Sequence, residues 1–201
     1  MKKFKRVTPE KVNIIGIKSG DIKPLKIKCN STQCDEGLHC FSRYMKRAEK
    51  TFGKKGVCYS CGNDSIDWER VHENDIKDAR YIFDSLNKEL IRKLFSTIKI
   101  DDKAIDSAKS KNREELKSFA KETLKKSIGK YNEYMDGRQT PLGNGNIIHY
   151  AQHATATCCR KCLKAWHNIP LKKDLTKAQL EFCSDLVMLY VEDKIPELKN
   201  N

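Results

Sequence analysis

The chain has 201 residues, 38% hydrophobic and 33% charged, with 40 Lys and Arg against 27 Asp and Glu for a formal charge of +13. No stretch approaches the ~18–20 consecutive apolar residues of a membrane span, no apolar segment follows the charged start MKKFKRVTPEK as a secretory leader would require, and no 20–50-residue repeat or sustained heptad is visible. A basic chain with nine cysteines remains, expected in a reducing, cytoplasmic setting.

In chain order, VNIIGI at residues 12–17 and LKIKC at residues 25–29 are short and rich in Ile, Val and Leu, with Gly20, Asp21 and Pro24 between them. They predict two short strands. Gly37, Gly53 and Gly56 then mark turns through a cysteine-rich stretch. From Ile66 the apolar residues recur at helical steps (Trp68, Val71, Ile76, Ala79, Ile82, Phe83, Leu86, Leu90, Leu94, Ile98), which predicts one long helix or two stacked ones, with Asn74 or Asp75 as a cap between them. A short helix is expected over 103–109. Asn112 and Glu115 form a capping-box pattern before an apolar face running from Leu116 to Ile128, and Gly129 ends it. The run DGRQTPLGNGN at 136–146 must be loop. Thr157 is placed to cap a helix from Cys158 that stops before Pro170. A last helix opens with a Thr176/Gln179 capping box, buries Leu180, Cys183, Leu186, Val187, Tyr190 and Val191, and ends at Pro196. The expected fold is mostly α: a small β zinc-ribbon-like module over 1–64 and a helical domain over 65–201.

The charge is uneven. Residues 1–56 carry 15 Lys and Arg against 5 acids, whereas residues 57–201 carry 25 against 22. A basic zone suits a polyanion through phosphate neutralisation and counterion release, though a Lys-rich soluble surface has the same composition. The candidate contacts are Lys26, Lys28, Arg43, Lys46, Arg47, Lys54 and Lys55, with Phe41, Tyr44, Phe52 and Tyr59 interleaved. Such aromatics serve base stacking or a minimal core equally well.

Eight of the nine cysteines fall in two clusters, each containing a C-x-x-C step. Cys58-Tyr-Ser-Cys61-Gly62 has the form of a zinc knuckle, in which two thiolates grip one ion from a tight turn. Cys29, Cys34, His39 and Cys40 compete for the other two places. Cys29 and Cys34 are preferred because Cys29 ends a predicted strand, and Cys34 with Cys40 is the alternative. The second cluster holds His149, His153, Cys158, Cys159, Cys162 and His167 within 19 residues. The preferred ligand set is His153, Cys159, Cys162 and His167, with Cys158 and His149 as alternatives. Two zinc ions are therefore expected. An iron–sulfur cluster on Cys158, Cys159, Cys162 and Cys183 is the lesser alternative, because adjacent cysteines rarely ligate together and Cys183 lies on an apolar stripe. A zinc deaminase is excluded by the missing Glu of H-x-E after His153. A nuclease of the HNH kind built on His72 lacks a second histidine at suitable spacing.

The run from Asp136 to Pro170, DGRQTPLGNGN followed by YAQHATATCCRKCLKAWHNIP, resembles the signature of an uncharacterised bacterial family, D-G-x-Q-T-P…A-Q-H-A-T-A-T-C-C-R-x-C-L-x-x-W-H-x-I-P. The amphipathic helix to about Pro196 is similar to that family's end. GLHCF and CYSCG…DWERVH resemble an N-terminal extension of some members. The resemblance implies that His153, Cys159, Cys162 and His167 act as a unit and implies no substrate. Three functions are compatible with these observations. The leading one is nucleic-acid-associated binding or regulation, in keeping with a phage or mobile-element setting. The others are a metal- or Cys/His-dependent enzyme acting on nucleic acid around 136–167, and a zinc-stabilised module for a protein partner.

Overall fold

The structure, a computed structural model, describes residues 27–133 and 137–200. It is mostly helical. A 3-10 turn, Cys34–Glu36, precedes α1 (Met45–Phe52), α2 (Trp68–Glu73), α3 (Ala79–Leu86), α4 (Leu90–Thr97), α5 (Asp102–Lys109), α6 (Arg113–Leu124), α7 (Ile147–Ala154), α8 (Arg160–His167) and α9 (Lys177–Lys194).

Local chemistry sets most of the boundaries. Both capping boxes form: the Asn112 side chain accepts from Glu115 N while Glu115 accepts from Asn112 N, and Thr176 and Gln179 do the same for α9. The periodic stretch from Ile66 is four pieces rather than one or two helices. Asn74 takes the left-handed conformation that closes α2, and Asp75 caps the 3-10 turn Ile76–Asp78 that leads into α3. Glu89 is extended and divides α3 from α4, which frees its side chain to point into the core. The expected helix from Cys158 starts later, at Arg160. Thr157 Oγ1 pairs with Thr155 Oγ1 at 3.0 Å instead of capping, and Cys159 occupies the N-cap position.

No β ribbon is present among the described residues. Residues 12–17, and 25–26 of the second expected strand, lie outside them. Ile27 and Lys28 are irregular, Cys29 lies in a turn, and only isolated bridges join Gln33 to Leu38 and His39 to Glu89. The backbone here is satisfied by turns: Lys28 N donates to Ser31 Oγ, and Ser31 N returns to Lys28 O, each at 2.9 Å.

Helix α9 is the centre of the bundle and packs against α3, α6 and α7. Phe182, Cys183, Leu186, Val187, Met188, Tyr190 and Val191 are all buried on it, each large side chain contributing about 1.5–3 kcal/mol of burial. Helix α7 lies between α9 and α4, and α2 packs on α8. The cysteine-rich N-terminal residues join the same core. His39 N donates to Lys88 O (2.8 Å) and Leu90 N to His39 O (2.9 Å), Trp68 Nε1 donates to Gly56 O (2.7 Å), and the Phe41 ring meets Trp166 edge-on. Hydrogen bonds and ring contacts thus cross the boundary expected at residue 64. Among the described residues no helix is long and apolar enough to cross a membrane.

Candidate metal centres

The first centre forms where three turns meet. Cys34 opens the 3-10 turn that Gly37 closes in the left-handed region. Cys58 and Cys61 occupy the knuckle, where Gly62 N donates to Cys58 O at 2.9 Å. Gly62 has φ +77, and a Cβ there would sit 2.9 Å from the Phe52 ring, so this position requires glycine. His39 enters from the bridge to Glu89. Donor atoms of Cys34, His39, Cys58 and Cys61 all lie within 4.8 Å of one another. Cys34 Sγ is 3.9 Å from Cys58 Sγ, and Cys61 Sγ is 3.4 Å from His39 Nδ1. The bond lengths of a tetrahedral zinc site give edges of about 3.8 Å between sulfurs and about 3.6 Å between sulfur and nitrogen. The donor set therefore fits a Cys3His metal site.

Burial works against ionisation of Cys58, but the backbone donors of Cys40, Cys61 and Ser60 outweigh it and hold the thiol below its usual range, as a ligand requires. Burial, and then Lys88, holds His39 below the usual histidine value, leaving it neutral. A hollow of about 490 Å³ lies beside Cys34, lined by residues that include Gln33, Asp35 and Ser60. Cys29, preferred from the sequence, is outside the donor group, and His39 stands there instead. Cys40 is fully buried and donates to Cys29 O at 3.4 Å, with burial pushing its thiol well up.

The second centre lies at the start of α8. Cys158, Cys159 and Cys162 are all buried, their sulfurs lie within 4.8 Å of one another, and Cys158 donates to Cys162 Sγ at 3.6 Å. Cys158 thus joins the two preferred cysteines, while Cys183 is buried on α9 outside the group, its thiol pushed up to about 12 by burial alone. Hydrogen bonds from the thiols of Cys158 and Cys159, then the guanidinium of Arg92, hold Cys162 well below the ordinary thiol range. His153 and His167 are buried nearby, each with Nε2 on a backbone carbonyl: Thr140 O at 2.9 Å and Thr155 O at 3.0 Å. Burial lowers both to about 4. Neutral imidazoles bonded this way carry hydrogen on Nε2 and a lone pair on Nδ1. In both rings Nδ1 is buried without a partner. His149 bonds Gly143 O at 3.3 Å, and the donor atoms of His149, His153 and His167 all lie outside the group that the three sulfurs form.

A buried pair of charges that sequence reasoning missed spans the two centres. The Glu89 carboxylate accepts from Phe41 N (3.2 Å), Ser42 N (3.0 Å) and Ser42 Oγ (2.7 Å) beside the first centre, and from Trp166 Nε1 (2.7 Å) on α8. Arg92 Nε is 3.5 Å from Glu89, while its Nη atoms donate to His153 O (2.7 Å) and Cys162 Sγ (3.3 Å). The only signal in the sequence is two opposite charges three residues apart within an apolar stripe.

The polar residues around the second cluster mostly satisfy one another. Gln152 Nε2 donates to Ser127 Oγ and Thr157 O, each at 3.0 Å, Thr155 Oγ1 to Ala151 O at 2.8 Å, and Thr140 N to Cys158 O at 2.9 Å. His72 is half-buried against the Trp68 ring, on a helix as a surface residue would be.

Of the candidate polyanion contacts, Lys26 lies outside the described residues. Lys28, Lys46, Arg47, Lys54 and Lys55 are exposed and Arg43 is half-buried. Lys54 pairs with Asp64, and Lys55 with Glu49 at 3.3 Å. Tyr44, 53% exposed, meets the Tyr59 ring edge-on at 5.0 Å, and the Arg47 guanidinium lies 5.7 Å from the Tyr59 ring centre.

A family model for a domain of unknown function, DUF4186, matches residues 80–192, more than half of the chain, and the protein belongs to that family. The match covers the second centre, Glu89 and Arg92, and begins after the first. No solved structure matches the chain.

Proposed function

We propose that this DUF4186 protein is a zinc-held, cytoplasmic nucleic-acid-binding or regulatory protein, with one zinc ion at each centre and the polyanion on the face of the N-terminal module. Zinc suits both donor sets, since thiolate and imidazole in a tetrahedral arrangement select it. Four protein donors close the first centre, which makes it structural. Its metal would supply folding free energy on the order of 10 kcal/mol to a segment with little core of its own.

The observation that carries the nucleic-acid reading is the cluster on and beside α1. Tyr44 is exposed beside Tyr59 and Arg47, with exposed Lys46 and Lys50 on the same short helix. Rings set among cations offer stacking together with phosphate neutralisation. The test is a salt series of binding titrations with labelled single- and double-stranded DNA and RNA, using zinc-loaded protein. Replacing Lys46, Arg47 and Lys50 by Glu should flatten the dependence of log K on log salt by ~0.7–0.9 for each phosphate that the protein no longer neutralises. Absence of binding by the wild-type protein at low salt refutes the reading.

A further inference from the structure

We propose that the second centre is a closed Cys3His metal site in which His153 supplies the fourth donor through Nδ1, with Arg92 as its outer counter-charge. The proposal rests on the reading that the thiol cluster holds metal, and adds the missing ligand and the charge balance. The three sulfurs lie within 4.8 Å of one another with both imidazoles outside that group, so on metal loading they would take three corners of a tetrahedron and a ring would have to swing in to the fourth.

His153 is prepared to fill it. The ring is 4% exposed, and because the Thr140 carbonyl can only accept, the Nε2 bond leaves a bare lone pair on Nδ1. That lone pair is buried without a partner, a costly state unless something binds there. Metal-ligating imidazoles characteristically donate their other N–H to a carbonyl in this way. Two further contacts link the surroundings of His153 to the cysteine segment. Thr140, which takes the imidazole N–H on its oxygen, donates its own N–H to Cys158 O at 2.9 Å. Arg92 spans His153 O and Cys162 Sγ with its two Nη atoms. His167 has the same tautomer, but its anchor, Thr155 O, makes no such link to the cysteines.

Charge points the same way. Three thiolates around a divalent ion leave one net negative charge, and the buried guanidinium beside Cys162 offsets it. The same guanidinium faces Glu89, with Nε 3.5 Å from the carboxylate, and so lies between two negative groups.

The experiment is cobalt(II) and zinc loading of the full chain, read by metal analysis and by the sulfur-to-cobalt charge-transfer absorption. Wild type should bind two ions, and His153→Ala should retain one. His153→Cys should keep two and gain charge-transfer intensity, because a fourth sulfur joins the ion. Arg92→Gln should weaken one ion about 10–100-fold and leave the other unchanged. Wild type binding fewer than two ions sinks the two-centre reading itself. Two ions in wild type with an unmoved spectrum in His153→Cys, or loss of the ion in His167→Ala but not in His153→Ala, overturns this assignment alone.

Discussion

Replacing Glu89 by Gln changes one atom in a carboxylate that is 0% exposed. One oxygen receives three donors, from Phe41 N, Ser42 N and Ser42 Oγ, and the other receives Trp166 Nε1 and faces Arg92. Either orientation of the amide sets its NH2 against donors. In the less costly orientation the Trp166 bond is lost and Arg92 keeps its charge, 3% exposed, with its carboxylate gone. Breaking a buried ion pair from one side costs about 3–5 kcal/mol, and that figure already contains much of the hydrogen-bond loss. Against a total stability of about 5–15 kcal/mol this is a large fraction. Urea unfolding of the zinc-loaded protein should show a lower midpoint at unchanged slope. At about 2–4 °C per kcal/mol for a chain of this length, the melting temperature should fall by on the order of 10 °C. A loss below about 1 kcal/mol would mean that water reaches and solvates the pair, and the reasoning fails.

Metal stoichiometry separates the ligand cysteines of the first centre from its bystanders. Cys34→Ser should lower the bound metal by one ion, whereas Cys40→Ala and Cys29→Ser should leave it unchanged by elemental analysis. The two buried histidines set an acid limit. Their folded-state values of about 4 lie below the ordinary 6.5, so between those values the unfolded chain binds protons that the folded chain does not. Stability should therefore be full above pH 6.5 and fall as the pH drops towards 4, by up to roughly 3 kcal/mol for each ring at ~1.4 kcal/mol per unit. Proton competition for metal ligands acts in the same direction. Denaturant midpoints measured across that range would contradict this if they stayed level.

What the chain determined by itself is what depends on neighbouring residues. Asn112 with Glu115 and Thr176 with Gln179 start helices at the expected positions, because a capping box needs only four consecutive residues. The apolar face of α9 is legible because burial repeats with the helix turn. Cys58, Cys61 and Gly62 announce a knuckle, and Cys159 and Cys162 announce a thiol cluster, since each grouping lies within one turn. No β ribbon forms among the described residues, because Ile27 and Lys28 find no extended partner there to bond. Tertiary structure alone selects His39 over Cys29 and Cys40. The backbone of His39 is bridged to Glu89, and neighbouring residues of extended chain point to opposite sides. His39 therefore faces Cys61 while Cys40 turns inward to Cys29 O. The same bridge sets Glu89 beneath Phe41 and Ser42, with Arg92 one helical turn further on against Cys162. Residues 39, 89 and 162 are far apart in the chain, and only the packed core brings them together.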